Sequence, residues 1–332
     1  MAEDQKWVWD RYWQYDRTAS CFDVEGTNYP AEFQWEWDEF FKTLPIGATI
    51  LDICTGNGAI ARFAAEYGKQ NKKKFKITAV DMADIDPKKY VRKSAGEKAI
   101  TFQGKINAEA LPFEDNSFDA VISQYGFEYA DTKVTLREVA RTLKPGGKVK
   151  FITHAVEGTP AVSAREEIAK IRYLTDELDI FPKAAVATEA AWRLEQAPPL
   201  ERLDMQESVM PKLQEFRDAM KQLAKKLEGD PENPVLHSTY GLLNHTFEIR
   251  AQVDLETLLD KITETGLEAR AHLGRLEALV DAALPEDEAN NLMHEAKTRG
   301  LGDGTLKPFY LDAGKKLVGW NLTFTALAKI PE

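Results

Sequence analysis

Asp52, Gly56 and Gly58 stand in the stretch Ile50 to Ala65, where a short apolar run (Thr49, Ile50, Leu51, Ile53) breaks into Thr55-Gly56-Asn57-Gly58. A helical repeat of Ile60, Phe63, Ala64 and Tyr67 follows and is stopped by Gly68. Glycines at such a corner let the backbone approach a ligand, and the helix start behind them offers unpaired N–H groups and the positive end of a dipole. A polar or anionic tail is expected there. Val80-Asp81 closes a second β-prone run 23 residues past Gly58, where a carboxylate can accept both hydroxyls of a ribose. Proton-moving side chains fall in Ser123-Gln-Tyr-Gly-Phe-Glu-Tyr129, which holds Gln124, Tyr125 and Glu128, and at His154, the end of a fifth β-prone run. His154 reads equally as a base or as a hydrogen-bonded structural histidine.

The elements that must position these groups alternate from 48 to 154. Strands are expected at Ala48 to Ile53, Phe75 to Val80, Ala99 to Gly104, Phe118 to Ser123 and Lys148 to His154, with a helix at Thr132 to Leu143. Alternation of this kind implies a parallel sheet covered on both faces, with ligands bound beyond the carboxyl ends of the strands. From about 159 to 302 only helical patterns occur: Ser163 with Glu166 reads as a capping box, Leu213, Phe216, Met220, Leu223 and Leu227 form one stripe, and Asp254 caps a helix that Gly266 should end. The alternating segment Gly319 to Lys329 then returns as a strand. The organisation expected is an aromatic-rich N-terminal lid (1–46), an α/β core (47–158), a helical cap insertion (159–302) and a returning strand that completes the sheet (303–332).

Five of the seven tryptophans precede residue 38, and most rings of that segment, Phe22 among them, are expected to pack on the core. Tyr12, Trp13 and Tyr15 are the rings expected to face a pocket. Fifty-four acidic residues against 43 Lys and Arg give a net charge of −11, which opposes approach to a polyanion. Lys69 to Lys76 reads as a solvated loop rather than a nucleic-acid patch, because aromatic residues do not interleave it. No apolar run reaches the ~18 residues of a membrane span, and Met-Ala-Glu-Asp-Gln-Lys is not a signal-peptide start, so a cytoplasmic protein without membrane partners is expected. Cys21 and Cys54 suggest neither a disulfide framework nor a zinc site, and His237, His245, His272 and His294 have no metal spacing.

Leu51-Asp52-x-x-x-Gly56-x-Gly58, the acid at Asp81, Asn107-Ala-Glu-Ala-Leu-Pro-Phe113 followed by Asp115-x-x-Phe118-Asp119, and Leu143-Lys-Pro-Gly-Gly147 occur in one order. Together they resemble the class I S-adenosylmethionine-dependent methyltransferases, particularly their small-molecule branch. The resemblance covers about residues 48 to 154 and the final strand. It implies a Rossmann-like doubly wound, mostly parallel sheet with a returning antiparallel strand. S-adenosylmethionine would be the cofactor and S-adenosylhomocysteine the product. It further implies that Asp52, Gly56 and Gly58, with Cys54 and Thr55, surround the methionine part, that Asp81 holds the ribose, and that Met82 packs on the adenine. Asn107, Ala108 and Glu109 would meet the adenine edge, Ser123, Gln124 and Tyr125 would border the sulfonium and the acceptor, and Tyr12 and Trp13 would close over the cofactor. Cys54 departs from the family, which usually has glycine there.

Methyl transfer from a sulfonium is an in-line displacement in which a positive charge vanishes, so alignment and exclusion of water matter most. A base is needed only if the acceptor must lose a proton, and His154, Tyr125 and Glu128 are the candidates. The expected activity is methylation of a small organic molecule at O, N, C or S. Action on a protein or RNA is the enzymatic alternative, and a non-catalytic S-adenosylmethionine-binding assembly protein is the other. A homodimer through the helical insertion is also expected.

Overall fold

The computed structural model describes residues 3–21 and 29–327. Helices α1 (Glu3–Tyr12) and α2 (Ala31–Lys42) precede the alternating series β1 (Thr49–Ile53), α3 (Ala59–Gln70), β2 (Lys76–Val80), α4 (Pro87–Tyr90), β3 (Ile100–Gln103), β4 (Phe118–Gln124), α5 (Thr132–Thr142) and β5 (Leu143–Thr153). Six helices follow, α6 (Thr159–Arg172), α7 (Ile180–Gln196), α8 (Pro199–Gly229), α9 (Pro234–Glu248), α10 (Leu255–Ala282) and α11 (Glu286–Thr298), and then β6 (Leu301–Leu311) and β7 (Lys316–Ala326). The chain divides into two compact units, one of residues 1–164 and 277–332, the other of 165–276.

The first unit is built on a seven-stranded sheet in the order β3-β2-β1-β4-β5-β7-β6. β1 to β5 run parallel, and β7 pairs antiparallel with both β5 and β6. Successive side chains of a strand point to opposite faces, and both faces here are apolar. Ile50, Ile77, Ala120 and Ile122 pack under α2 and α3 with Phe33, Trp37 and Phe41, whereas Leu51, Ile53, Val121, Val149 and Phe151 pack under α5 and α11 with Leu136, Val139 and Leu292. Burial on both faces explains why β1 and β4 read as near-continuous apolar runs. Lys150, buried in the middle of β5, pairs with Glu36 of α2 and lies over the Trp37 ring, which fixes that helix on the sheet.

The order places β1 beside β4, so connections leave in opposite directions at their carboxyl ends. That is the switch point where ligands of doubly wound sheets bind.

Three local expectations are corrected. β6 has no counterpart in the sequence reading, because Gly302, Gly304 and Pro308 look like a loop. As an edge strand it tolerates both residue types. α6 starts at Thr159, so Ser163 and Glu166 lie inside the helix, and Pro160 in the first turn supplies the start signal. α10 continues through Gly266, where a Cβ would come within 3.2 Å of Phe181 on α7, so this glycine serves helix packing rather than helix ending. The Asp254 cap stands, with Oδ1 accepting from Thr257 N at 2.9 Å. Phe22 and the end of the final strand from Ala328 lie outside the described residues.

Candidate active site

Asp52 ends β1 with its carboxylate buried. Oδ2 accepts from Thr55 Oγ1 at 2.6 Å and from the Ala61 amide at 3.1 Å, which joins the glycine turn to the first turn of α3. Burial pushes its pKa up to about 7, against the lowering effect of those two donors. Asp81, just beyond β2, accepts from the Gly56 amide through Oδ2 and from the Ala83 amide through Oδ1, each at 2.8 Å. Burial raises this carboxyl to about 6, again with the amides opposing. The two acids therefore hold the turn from both ends, and both line cavities.

Trp13 lies against the turn between them. Gly56 has φ +54°, and a Cβ there would collide with the Trp13 indole, while one on Gly58, at φ +84°, would collide with Phe102. No other residue type fits this corner as folded. A cavity of about 60 Å³ on one side of Trp13 is lined by Cys54, Asp81, Met82 and Tyr125 among others. One of about 20 Å³ is lined by Trp13, Asp52, Cys54, Thr55, Gln124 and Tyr125, with Ser20 and Tyr29. Asn57 holds the covering segment: its Nδ2 faces the carbonyls of Trp13 at 3.0 Å, Tyr15 at 3.3 Å and Arg17 at 2.9 Å. Tyr12 donates from its hydroxyl to Ala19 O at 3.0 Å, which turns it into the same segment rather than toward a cavity.

Cys54 sits at φ +54° and Tyr125 at φ +52°, left-handed conformations that disfavour a side chain. Glycine is the residue such a backbone prefers, so Cys54 holds the place at a cost in strain. Burial, with Asp81 and Glu128 nearby, raises the Cys54 thiol well above its ordinary range, which disfavours the thiolate.

His154 is fully buried. Its Nδ1 lies 2.8 Å from Glu128 Oε1, the same oxygen accepts from the His154 amide at 2.8 Å, and Nε2 lies 3.7 Å from Cys21 Sγ. Tyr125 stacks on the imidazole at 4.1 Å between ring centroids, and its hydroxyl donates to Val318 O on β7. A carboxylate at Nδ1 orients the ring and leaves Nε2 facing the Cys21 side, the arrangement of an oriented base. Where the chain returns, Leu284 bonds back beside this histidine, its amide donating to His154 O at 3.0 Å.

Ser123, Asn107, Ala108 and Glu109 are placed differently. Ser123 Oγ donates to Ile53 O and accepts from the Phe127 amide, so it braces the backbone between β1 and β4. Asn107 Oδ1 accepts from the Glu109 amide, Glu109 Oε1 accepts from the Asp131 amide, and Ala108 packs in the core. None of these four lines the two cavities flanking Trp13. Asn57 was not singled out from the sequence, since its partners lie 40 or more residues away, and nothing in the sequence signalled that the Cys21 thiol would face His154. Among the described residues no cluster of His, Cys, Asp or Glu could hold a metal ion, and no helix is long and apolar enough to cross a membrane.

Residues 50–147 match the family described as methyltransferase domain. The chain is 32% identical over 159 residues to the ubiquinone/menaquinone biosynthesis C-methyltransferase of Hahella chejuensis, covering 46% of this chain and 63% of that protein. It is 35% identical over 111 residues to the demethylmenaquinone methyltransferase of Bacillus licheniformis, covering 32% and 44%. The chain thus spans less than two thirds of either relative. A solved S-adenosylmethionine-dependent methyltransferase from Methanosarcina mazei aligns over 88% of this chain and 98% of its own, at 16% identity and a TM-score of 0.40. The sheet order and the acid-backed glycine turn define a Rossmann-like cofactor-binding unit. With the family match, the chain carries a class I S-adenosylmethionine-dependent methyltransferase domain, whose cofactor is S-adenosylmethionine.

Proposed function

We propose that the protein transfers a methyl group to a small organic molecule in the cytoplasm, at O, N, C or S, with carbon favoured by the likeness to the C-methyltransferase of Hahella chejuensis. The observation that carries the reading is the pair of cavities at the β1/β4 switch point, with Asp81 in one and Asp52, Thr55 and Gln124 in the other. Gly56 leaves a cradle that the Trp13 ring fills, and in this reading the cofactor enters when that ring swings aside. Asp81 and Met82 would then hold the nucleoside end, and Asp52, Thr55 and Gln124 the amino-acid end. Bound there, S-adenosylmethionine supplies an electrophilic methyl group. Residues 13–20 act as a lid that excludes water, since a site of about 60 Å³ cannot admit a drug-sized ligand, which needs ~300 Å³ or more.

Glu128 and His154 supply the base. With Nδ1 held by Glu128, Nε2 takes the proton of the acceptor when the Cys21 side of the lid moves away. A homodimer through the helical unit is part of the same proposal, supported by exposed Leu200, Leu203 and Met210 on α8, and sedimentation tests it.

Calorimetry with S-adenosylmethionine, S-adenosylhomocysteine and NAD, followed by S-adenosylhomocysteine release in a metabolite extract, tests the activity. Binding of the two sulfur compounds with turnover supports the reading, and NAD binding alone would sink it. His154→Gln should keep cofactor affinity while lowering turnover ~100-fold or more, in line with general-base contributions. Undiminished turnover in that variant removes the histidine from the chemistry.

A further inference from the structure

The helical unit holds a larger cavity whose lining includes none of the residues assigned above to methyl transfer. It measures about 510 Å³ and lies among α7, α8 and α9, wholly within residues 165–276. This is inside the ~300–1,000 Å³ range of small-molecule sites, whereas the cavities beside Trp13 are far below it. The α8 stripe explains how it forms: Leu223 is buried in the unit's core, whereas Leu213, Phe216 and Met220, on the same face, pack on that core and also line the cavity. With Phe247 they give it apolar walls.

Its polar groups are few and unbalanced. Arg217, Lys221 and Arg250 line it against a single carboxylate, Glu195. Arg250 stacks its guanidinium over Phe247 at 4.3 Å, donates from one terminal nitrogen to Phe247 O and from the other to Glu195 Oε1, each at 2.6 Å. What remains of the pair is unmet: Arg250 Nε and Glu195 Oε2 are both shut off from solvent without a hydrogen-bond partner. Buried donors and acceptors of charged groups are costly to leave alone, and native folds rarely do so without a ligand or water to meet them. Arg217 and Lys221 stand at the exposed rim. Arg217 makes only a 3.4 Å contact with Gln214, and Lys221 lies 3.7 Å from Asp218.

We infer that the helical unit binds a small amphipathic carboxylate, its apolar body between Phe216, Met220 and Phe247 and its anionic head toward Arg217, Lys221 and the Arg250 guanidinium that line the cavity. The inference does not rest on the methyl-transfer reading, because the cavity belongs to the helical unit alone. Cation excess sets the head-group charge, and a planar guanidinium on an aromatic face suits a carboxylate. The apolar walls require a hydrophobic body of at least several carbons.

Full-length protein titrated with dodecanoate below its micellar range, by calorimetry, should show saturable 1:1 binding. Dodecanol should bind at least ~10-fold more weakly. Ala224→Trp fills the cavity and should abolish dodecanoate binding. The double variant Arg217→Ala/Lys221→Ala alters only exposed side chains, and should fold with an unchanged melting curve and bind at least ~10-fold more weakly. The inference is overturned by the absence of saturable dodecanoate binding, by equal affinity for dodecanol, or by wild-type affinity in the double variant. Cofactor affinity should be unchanged in the double variant, so a failure here leaves the methyl-transfer reading separately testable.

Discussion

Asn57→Ala should release the segment that covers the glycine turn while leaving the sheet folded. The fully buried amide offers two N–H groups to three carbonyls, those of Trp13, Tyr15 and Arg17. It therefore supplies about two full hydrogen bonds, with the longest contact shared. A net hydrogen bond is worth ~1 kcal/mol, and a buried carbonyl left unmet costs ~1–3 kcal/mol. The sum for opening the segment is about 2–4 kcal/mol, because some carbonyls reach water once freed. At about 1.4 kcal/mol per tenfold, opening becomes ~30- to ~1,000-fold more frequent. Hydrogen exchange of residues 13–20 reads this directly, and the amides of β1 and β4 serve as the internal control. If the segment is the lid, cofactor affinity should fall together with that protection. Wild-type protection at 13–20 in Asn57→Ala would refute the reasoning, since the carbonyls would then be held by something else.

Asp81→Ala should weaken cofactor binding by ~1.5–3 kcal/mol, the worth of hydrogen bonds to a charged acceptor, as read by calorimetry; unchanged affinity would remove Asp81 from the ribose. The same variant frees the Gly56 and Ala83 amides, so its melting curve should shift downward at acid pH, where the carboxyl is no longer an ionised buried group. Asp52 at about 7 and Asp81 at about 6 hold protons longer folded than unfolded. Their contribution to stability is thus greatest near pH 4 and is lost as pH rises through 7. Urea melts of Asp52→Asn at pH 4.5 and 7.5 should show a loss of stability between the two pH values smaller than the parent's by up to about 3 kcal/mol, because roughly two of the three units of the shift fall inside that window; an identical loss would contradict the burial cause. Deletion of 165–276, closed by a flexible linker, should keep cofactor binding, because every residue assigned to the cofactor lies in the other unit. A deletion of 159–302 should instead fail to fold, because it removes α11, whose Ala289, Leu292 and Ala296 belong to the sheet's own core.

The alternating core was legible because each of its signals is local. A two-sided apolar strand, a glycine corner and a capped helix are each complete within about a dozen residues. β1, β2, β3 and β4 fall within one or two residues of the ends read from the sequence. What stayed hidden depends on distant partners. Asn57 occupies the unspecified place in Gly-x-Gly, and its role exists only because residues 13–17 return across it. Cys21 gains meaning from His154, 133 residues away. The sequence shows Leu213, Phe216, Met220, Leu223 and Leu227 as one stripe, and that Leu213, Phe216 and Met220 of it also line a cavity is set by where α7 and α9 lie, not by α8 itself.

The strained ends of β1 and β4 follow from the same long-range placement. Cys54 and Tyr125 both take left-handed backbones that each cost ~1–3 kcal/mol, and glycines elsewhere make room for them. A Cβ on Gly126 would collide with Cys54, and one on Gly319 of β7 would collide with Thr153 O and lie 3.4 Å from the Tyr125 ring. Tyr125 is then locked by its amide bond to Ile152 O at 2.7 Å, its hydroxyl bond to Val318 O and its stack on His154. One side chain thereby touches both cavities, the proposed base and the returning strand. A residue held so rigidly at the switch point can set the distance between cofactor and acceptor, which is the variable that in-line methyl transfer depends on most.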